Sequence, residues 1–541
     1  MPSYTIFAKT HRPSGIKRRH PSHSSSHTAI APAIVGAAVI LLCLALLPIL
    51  LVQIPPLVDY PNHLARIHIL ADGGYNQFLR QYYEIHWDLL PNLAIDLLLP
   101  PLLTVVSIET AGKLFLGLIL TFLAAGTMAL HRALHHRWSP WPLLAFFFLY
   151  NSVFLWGFLN YLLGLGLALL TCALWITLRN RAARLLVPLF SVLALVLFFA
   201  HLFAFGVFAL VVLSYESASW WRERHGGGRD RDSSLAKALP TIVLPLLLLP
   251  LSPTFRAGPA DYPFWLRGLP PPPAVTFLPL NVKVEAFKGV LRTEHQGLDR
   301  VTAVLLVGLV GVGLVRRQWS LHPSMYLPLA ATLGAALAMP ASIGTTTVVD
   351  IRMPVVVVLL AIASSDWPNR RRRWFFPVAL VFSLLFVMRM AVITEGWLKT
   401  DRHYRQFIAA LDQLPEGTRL LSAIKLASYD ADSPRDSRVP ELRPLVNLSC
   451  WSIIRRSAFV SNLFTAPGQQ PVQLTPPMRS LLTVEEFLAQ AVPIPWDRFR
   501  TQYDYVVVRR TQTLRPPVPS DFVPVAQGEE FALYRLPARQ P

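Results

Sequence analysis

The chain is short of cysteine, of acidic residues and of charge in general. Three cysteines stand among 541 residues. Cys43 and Cys172 fall in apolar runs, and Cys450 is alone in the C-terminal region, so that region forms no internal disulfide. No cysteine spacing matches a metal site. No Gly-rich strand-to-helix turn is present, which removes a nucleotide-binding loop from consideration. No basic run interleaves with aromatics in a soluble segment, as base stacking requires, so nucleic acid is not expected as a partner. No internal repeat is found. Charged residues make up 15% and hydrophobic ones 53%, the balance of an integral membrane protein. The formal charge of +19 has a simple location. Much of the basic excess sits in short loops between apolar runs, as the positive-inside rule describes.

What is abundant is the apolar run. Eleven recur, at about 29–53, 111–130, 141–156, 158–178, 185–200, 202–219, 237–252, 299–315, 323–340, 354–366 and 374–393. A hydrocarbon core of about 30 Å takes about 20 helical residues at about 1.5 Å each. The first run follows the basic residues Lys17, Arg18 and Arg19 and a Ser- and His-rich stretch. It is too long for a cleaved signal region, and no small-x-small site stands out, so it reads as an uncleaved anchor.

Basic loops set the direction. Arg132 and Arg137, then Arg179, Arg181 and Arg184, then Arg222, Arg224, Arg229 and Arg231, then Arg316 and Arg317, then Arg370 to Arg373 fall on alternate turns. All share one side only if the chain crosses once between residues 54 and 131. Segment 92–107 must then not cross. It contains Asp96, Pro100 and Pro101, and a central carboxylate costs about 2.5–3.5 kcal/mol on the insertion scale. It is expected to lie along the outer surface. The N-terminus is then cytoplasmic, and the outer face holds loop 54–110, a Pro-rich loop 253–298 with Pro270 to Pro273, and the tail. The expected location is a bacterial inner (plasma) membrane.

The expected fold is therefore mainly α. A basic cytoplasmic segment, 1–28, precedes a polytopic helical domain of about 11 spans over 29–394. A small extracytoplasmic α/β domain follows over 395–541. Within that tail, Tyr404, Phe407, Ile408 and Leu411 give helical spacing over 401–413, and Pro415-Glu416-Gly417 signals a turn. Arg419–Ile424, Tyr503–Val508 and Phe531–Leu536 read as strands. Gly226 to Gly228 amid alternating charges reads as a flexible connector in loop 220–236.

The most informative stretch follows the first run: Asp59-Tyr60-Pro61-Asn62-His63-Leu64-Ala65-Arg66. A carboxylate, an imidazole and a guanidinium lie together at the membrane surface. Asp59 is placed either as a general base or as an N-cap, since Pro61 follows in the first turn. His63, four residues on, shares its helix face and either relays a proton or meets headgroups. Arg66 either faces lipid phosphate or snorkels. Arg352, beside Asp350 in a short outer loop, suits a phosphate because its planar fork gives charge-assisted hydrogen bonds; the alternative is a structural pair with Asp350. His201 lies where two runs meet, facing the same cavity or satisfied in the interior. Asn151, Asn160 and Tyr161 bracket a turn and suit helix-to-helix hydrogen bonds.

The order of these features resembles the GT-C superfamily of membrane glycosyltransferases, especially its protein O-mannosyltransferase and aminoarabinose-transferase branch. Asp59-Tyr60-Pro61 with Ala65-Arg66 looks like the start of that family's first outer loop. Leu90-Pro91-Asn92-Leu93, leading to Ala111-Gly112-Lys113-Leu114, looks like its end. The family's second acid is Tyr60 here, and the lysine before its Pro-Pro-Leu segment is absent. The resemblance implies a polyprenyl-phosphate-linked sugar donor, membrane lipids as surroundings, and a glycan, lipid or protein acceptor. It also implies a second acid on the outer surface, for which Asp88, near Glu84 and His86, is the candidate; its other role is to cap the following helix. A divalent cation between Asp59 and Asp88 fits the preference of hard cations for carboxylates. Two rival functions remain, a transporter or flippase for a lipid-linked substrate and a non-catalytic assembly protein.

Overall fold

Helices carry 67% of the described residues, which is how a backbone satisfies itself in hydrocarbon. The computed structural model describes residues 24–225, 234–255, 275–293, 295–343, 346, 348–367, 372–424, 445–489, 493–511 and 518–537. Lys17 to Arg19, Gly226 to Gly228, Arg229, Arg231, Pro270 to Pro273, Arg370 and Arg371 lie outside the described residues.

Eight helices are long and apolar enough to cross a membrane: Ala31–Leu51, Ile108–His135, Leu159–Leu178, Ala183–Ala200, Leu202–Arg222, Ser234–Leu251, Gln296–Val315 and Phe376–Leu411. Their free faces are apolar. Val304, Val307 and Val315 stand exposed along one of them, as side chains facing lipid would. The other three expected segments are present but short, at Trp141–Trp156, Pro323–Ala338 and Arg352–Ser364. The first of these is a 3-10 run broken at Asn151. The Asn151 amide donates to the Phe148 carbonyl at 2.8 Å, and its oxygen caps the next turn by accepting from Phe154 N–H at 3.1 Å.

Segment 92–107 forms one helix of nine residues, Ala94–Leu102. At about 1.5 Å per residue it is about 14 Å long, too short to cross. Its outward side carries Leu97, Leu98 and Leu102. Asp88 does not cap it. The Asn160 side-chain oxygen, from another helix, accepts from Ile95 N–H at 2.8 Å. Asn160 also donates to the Asn92 carbonyl. Asn92, held at a φ of 68°, in turn caps Leu202 N–H at 2.9 Å. The loop is thus stitched to two membrane helices through their unsatisfied ends.

The last helix departs from the expected division at residue 395. Arg372–Leu411 is continuous over 40 residues, about 60 Å and twice a hydrocarbon core. Its distal half buries Trp397, Tyr404, Phe407 and Leu411, with Trp397 against Tyr150 and Phe407 against Phe531 of the tail. The change from apolar to amphipathic pattern is therefore a change of surroundings along one helix. Asp401 on this half accepts from Gln53 N–H at 2.8 Å, tying down the end of the first helix.

The strand-rich tail centres on a five-stranded sheet in the order Val523–Gln527, Phe531–Arg535, Tyr505–Arg509, Arg419–Ala423, Phe459–Val460. The first two pairings are antiparallel and the last two parallel. A second small sheet joins the tail to the first loop. Tyr83–Ile85 pairs antiparallel with Val472–Leu474, Glu84 opposite Gln473. Tyr82 hydroxyl donates to the Gly417 carbonyl, and Asn76 donates to Ser457 at 2.9 Å. Loop and tail pack as one body on the ends of the helices.

Candidate functional site

The chain leaves the first helix through Pro55-Pro56 and folds against the turn 155–157. Val58 N–H donates to Leu155 carbonyl, and Asp59 N–H to Trp156 carbonyl, each at 3.0 Å. Gly157 permits this approach. It has a φ of 83°, and a Cβ there would sit 3.0 Å from the Asp59 nitrogen. Asp59 occupies the N-cap position of the helix Tyr60–Asp72, yet its side chain makes no cap hydrogen bond. Its Oδ1 instead accepts from Asn447 Nδ2 of the tail at 3.0 Å. The same amide donates to Val58 carbonyl at 3.1 Å.

Asn447 belongs to a buried amide network. Asn462 Nδ2 donates to Asn447 Oδ1 at 3.3 Å and to Val446 carbonyl at 2.9 Å. Asn62, one helical turn from Asp59, donates to Asn462 carbonyl at 2.9 Å and accepts from Phe464 N–H at 3.0 Å. Ser449 donates to Asn462 Oδ1 at 3.0 Å. Satisfied networks of this kind rigidify what they hold, and here they hold the carboxylate corner.

His63 lies on the same face. Its Nε2 donates to Gly157 carbonyl at 3.2 Å, so that nitrogen carries the proton. Its Nδ1 is enclosed with no hydrogen-bond partner. Burial, reinforced by the Arg66 charge and opposed by the Gly157 hydrogen bond, lowers its pKa to about 3. It is a neutral imidazole, an acceptor held close to Asp59.

Arg352 opens the short helix Arg352–Ser364. Its guanidinium is buried over two aromatic rings, 4.6 Å from the Phe158 centroid and 5.1 Å from that of Phe203. Its Nε has no hydrogen-bond partner, and Asp59 acts on it electrostatically. Tyr161 hydroxyl donates to the Arg352 carbonyl at 2.7 Å, which sets the start of this helix. His201 closes the far wall. Its Nδ1 accepts from Phe203 N–H at 3.1 Å, and its ring meets Tyr161 edge-on at 5.3 Å. Asp59, His63 and Arg352 thus converge on the turn 157–158, and His201 shares Tyr161 and Phe203 with Arg352.

Comparison of the chain with family models, with curated proteins and with solved structures gives no match in any of the three.

Two expected site residues stand elsewhere. Arg66 is fully buried and paired with Asp96 through two hydrogen bonds of 2.6 and 3.1 Å; it neither snorkels nor faces a headgroup. Asp88 is exposed, and its carboxylate has no hydrogen-bond or ion-pair partner among the described residues. Among those residues no three His, Cys, Asp or Glu side chains are placed to hold a metal ion.

The structure adds features that spacing did not indicate. Asn447 lies nearly four hundred positions from Asp59, in a segment without motif. Phe158 and Phe203 look like ordinary core residues in sequence. A cavity of about 320 Å³ adjoins the Asp59 corner, bounded by Pro56, Leu155 and Leu445. Its other walls include Trp397 and Tyr404, with Lys399 at the edge. Buried Arg389 and half-buried Asp299 form an ion pair at 2.9 Å between two long helices.

Proposed function

We propose that this chain is a GT-C-like membrane glycosyltransferase, moving a sugar from a polyprenyl-phosphate-linked donor to an acceptor at the outer face of the membrane. One observation carries the reading. A carboxylate from the first loop lies within electrostatic reach of a buried guanidinium from a distant helix, and the carboxylate's neighbours Pro56 and Leu155 line a cavity with aromatic walls. Arg352 is desolvated on two rings and retains an unpartnered N–H. Such a cation offers an anion a strong, preorganised electrostatic partner.

In this reading Asp59 removes the proton from an acceptor hydroxyl. The acceptor oxygen attacks the anomeric carbon, the bond from that carbon to the lipid phosphate oxygen breaks, and Arg352 offsets the charge on the leaving phosphate. Asn447 orients the carboxylate, and neutral His63 adds no competing positive charge. Neither Asp88 nor Arg66 takes part. The eight long and three short apolar helices give eleven crossings, with the N-terminus cytoplasmic and the tail outside. Lipid-linked donors suit such a site, since it sits where a headgroup meets the membrane edge.

The test is sugar transfer in membranes holding equal amounts of wild type and Asp59→Asn. Asparagine keeps the size and still accepts from Asn447. Loss of a general base costs about 10²–10⁴-fold, and that loss is expected. Full activity would defeat the assignment. A lipid-linked-substrate transporter is the second reading, favoured by the Arg389–Asp299 pair, because ionisable groups between membrane helices often line transport paths. It expects Arg389→Met with Asp299→Leu to abolish function and Asp59→Asn to spare it.

A further inference from the structure

The helix Ile108–His135 begins beside the Asp59 corner, where Gly112 packs against Tyr60. Its 28 residues extend about 42 Å, so its last turn reaches the opposite membrane face. There a second cavity, of about 730 Å³, opens between this helix and Leu159–Leu178. Its two halves differ. Leu170 and Leu174 belong to an apolar wall, and Leu174 is exposed on the lipid side. Arg132, His136, Arg179 and His322 supply the rim, and no acidic side chain lines the space.

The rim charges are not equivalent. Arg179 is held by Glu216 through hydrogen bonds of 2.9 and 2.7 Å and lies over the Tyr215 ring. Arg132 is exposed and makes no ion pair or hydrogen bond with its side chain among the described residues. Behind His322, Arg222 donates to Ser324 at 2.7 Å and adds positive potential without entering the cavity. A small soluble anion would be served by the rim alone. The apolar wall, continuous with the lipid-facing surface, has a use only if the anion carries a hydrocarbon chain.

We propose that this cavity binds an anionic phospholipid, with the headgroup phosphate on Arg132 and His136 and an acyl chain along Leu170 and Leu174. Basic pockets between membrane helices hold anionic headgroups in this manner. The site is separate from the Asp59 corner, and its existence does not depend on sugar transfer.

The experiment measures lipid retention by the full chain in neutral detergent, by native mass spectrometry, with phosphatidylglycerol and phosphatidylcholine offered in turn. Wild type should retain phosphatidylglycerol preferentially. Arg132→Gln should weaken that retention about five- to tenfold with an unchanged melting temperature, because Arg132 has no partner to strand. Arg184→Gln removes a charge at the same face but outside the cavity and should have no effect. Millimolar inorganic phosphate should leave the lipid bound. Equal retention of both lipids overturns the proposal, as does unchanged phosphatidylglycerol retention in Arg132→Gln. An equal loss in Arg184→Gln would mean a diffuse basic surface, and displacement by inorganic phosphate a simple phosphate site; either result also overturns it.

Discussion

Removing the Arg66 guanidinium should destabilise the first loop without touching chemistry. Arg66 and Asp96 are 1% and 0% exposed and meet in a fork of 2.6 and 3.1 Å. Two unit charges about 4 Å apart gain about 4 kcal/mol at an effective dielectric near 20. Desolvating both cancels much of that gain, so an apolar pair of similar volume would serve about as well. The unpartnered Arg66 Nη1 lowers the value of the ionic version further. Losing one partner is a different matter, because it leaves a lone buried charge and costs about 3–5 kcal/mol. Arg66→Met and Asp96→Leu should therefore each lower the melting temperature of the solubilised chain, and the double variant should recover most of the loss. The assay is heating followed by fluorescence-detected size exclusion, with donor binding measured on the surviving fraction. A double variant no better than either single one refutes the buried-pair account. So does an Arg66→Met protein of normal stability with weakened donor binding, since that would place Arg66 on the lipid phosphate.

Three other perturbations address the corner and its side of the membrane. Gly157→Ala meets both a φ of 83° and the Asp59 nitrogen at 3.0 Å; a left-handed conformation alone costs about 1–2 kcal/mol. Transfer activity should fall well beyond the loss of stability, whereas Gly206→Ala, with nothing within 4 Å, should be neutral; equal activities would remove Gly157 from the site's construction. His63 has a folded pKa of about 3, below its usual 6.5. The unfolded chain takes up that proton first, so its contribution to stability is full above about pH 6.5 and is lost as pH falls toward 3. Melting temperature should decline less steeply over that window in His63→Gln, and parallel declines would contradict the assignment. Finally, in a cysteine-free background, Tyr75→Cys and Val105→Cys, both exposed positions, should both react with an impermeant thiol reagent from outside. Protection of position 105 alone would mean that the segment between them crosses.

Local composition accounts for what was legible without coordinates. The long apolar runs became helices close to where periodicity put them, because burial in hydrocarbon leaves a backbone little other choice. Arg419–Ala423, Tyr505–Arg509 and Phe531–Arg535 formed strands where β-branched and aromatic residues cluster. Asp96 marked its own segment as costly to insert, and the helix there is nine residues long. Composition gave no warning that residues 372–411 run on as one helix, since a change of solvent along a helix looks like a boundary.

Partnership was not legible. Arg66 and Asp59 stand seven positions apart in similar surroundings, yet one is spent on Asp96 and the other is held by Asn447. Nothing near either residue distinguishes them. Asn447 meets Asp59, and Tyr83–Ile85 meets Val472–Leu474, only after the tail has folded back onto the first loop. Whether a helix forms depends on neighbours three and four residues away, which the chain carries with it. Which carboxylate is paired, oriented or left beside a buried cation depends on contacts between distant segments, and those exist only once the helices and the tail have packed.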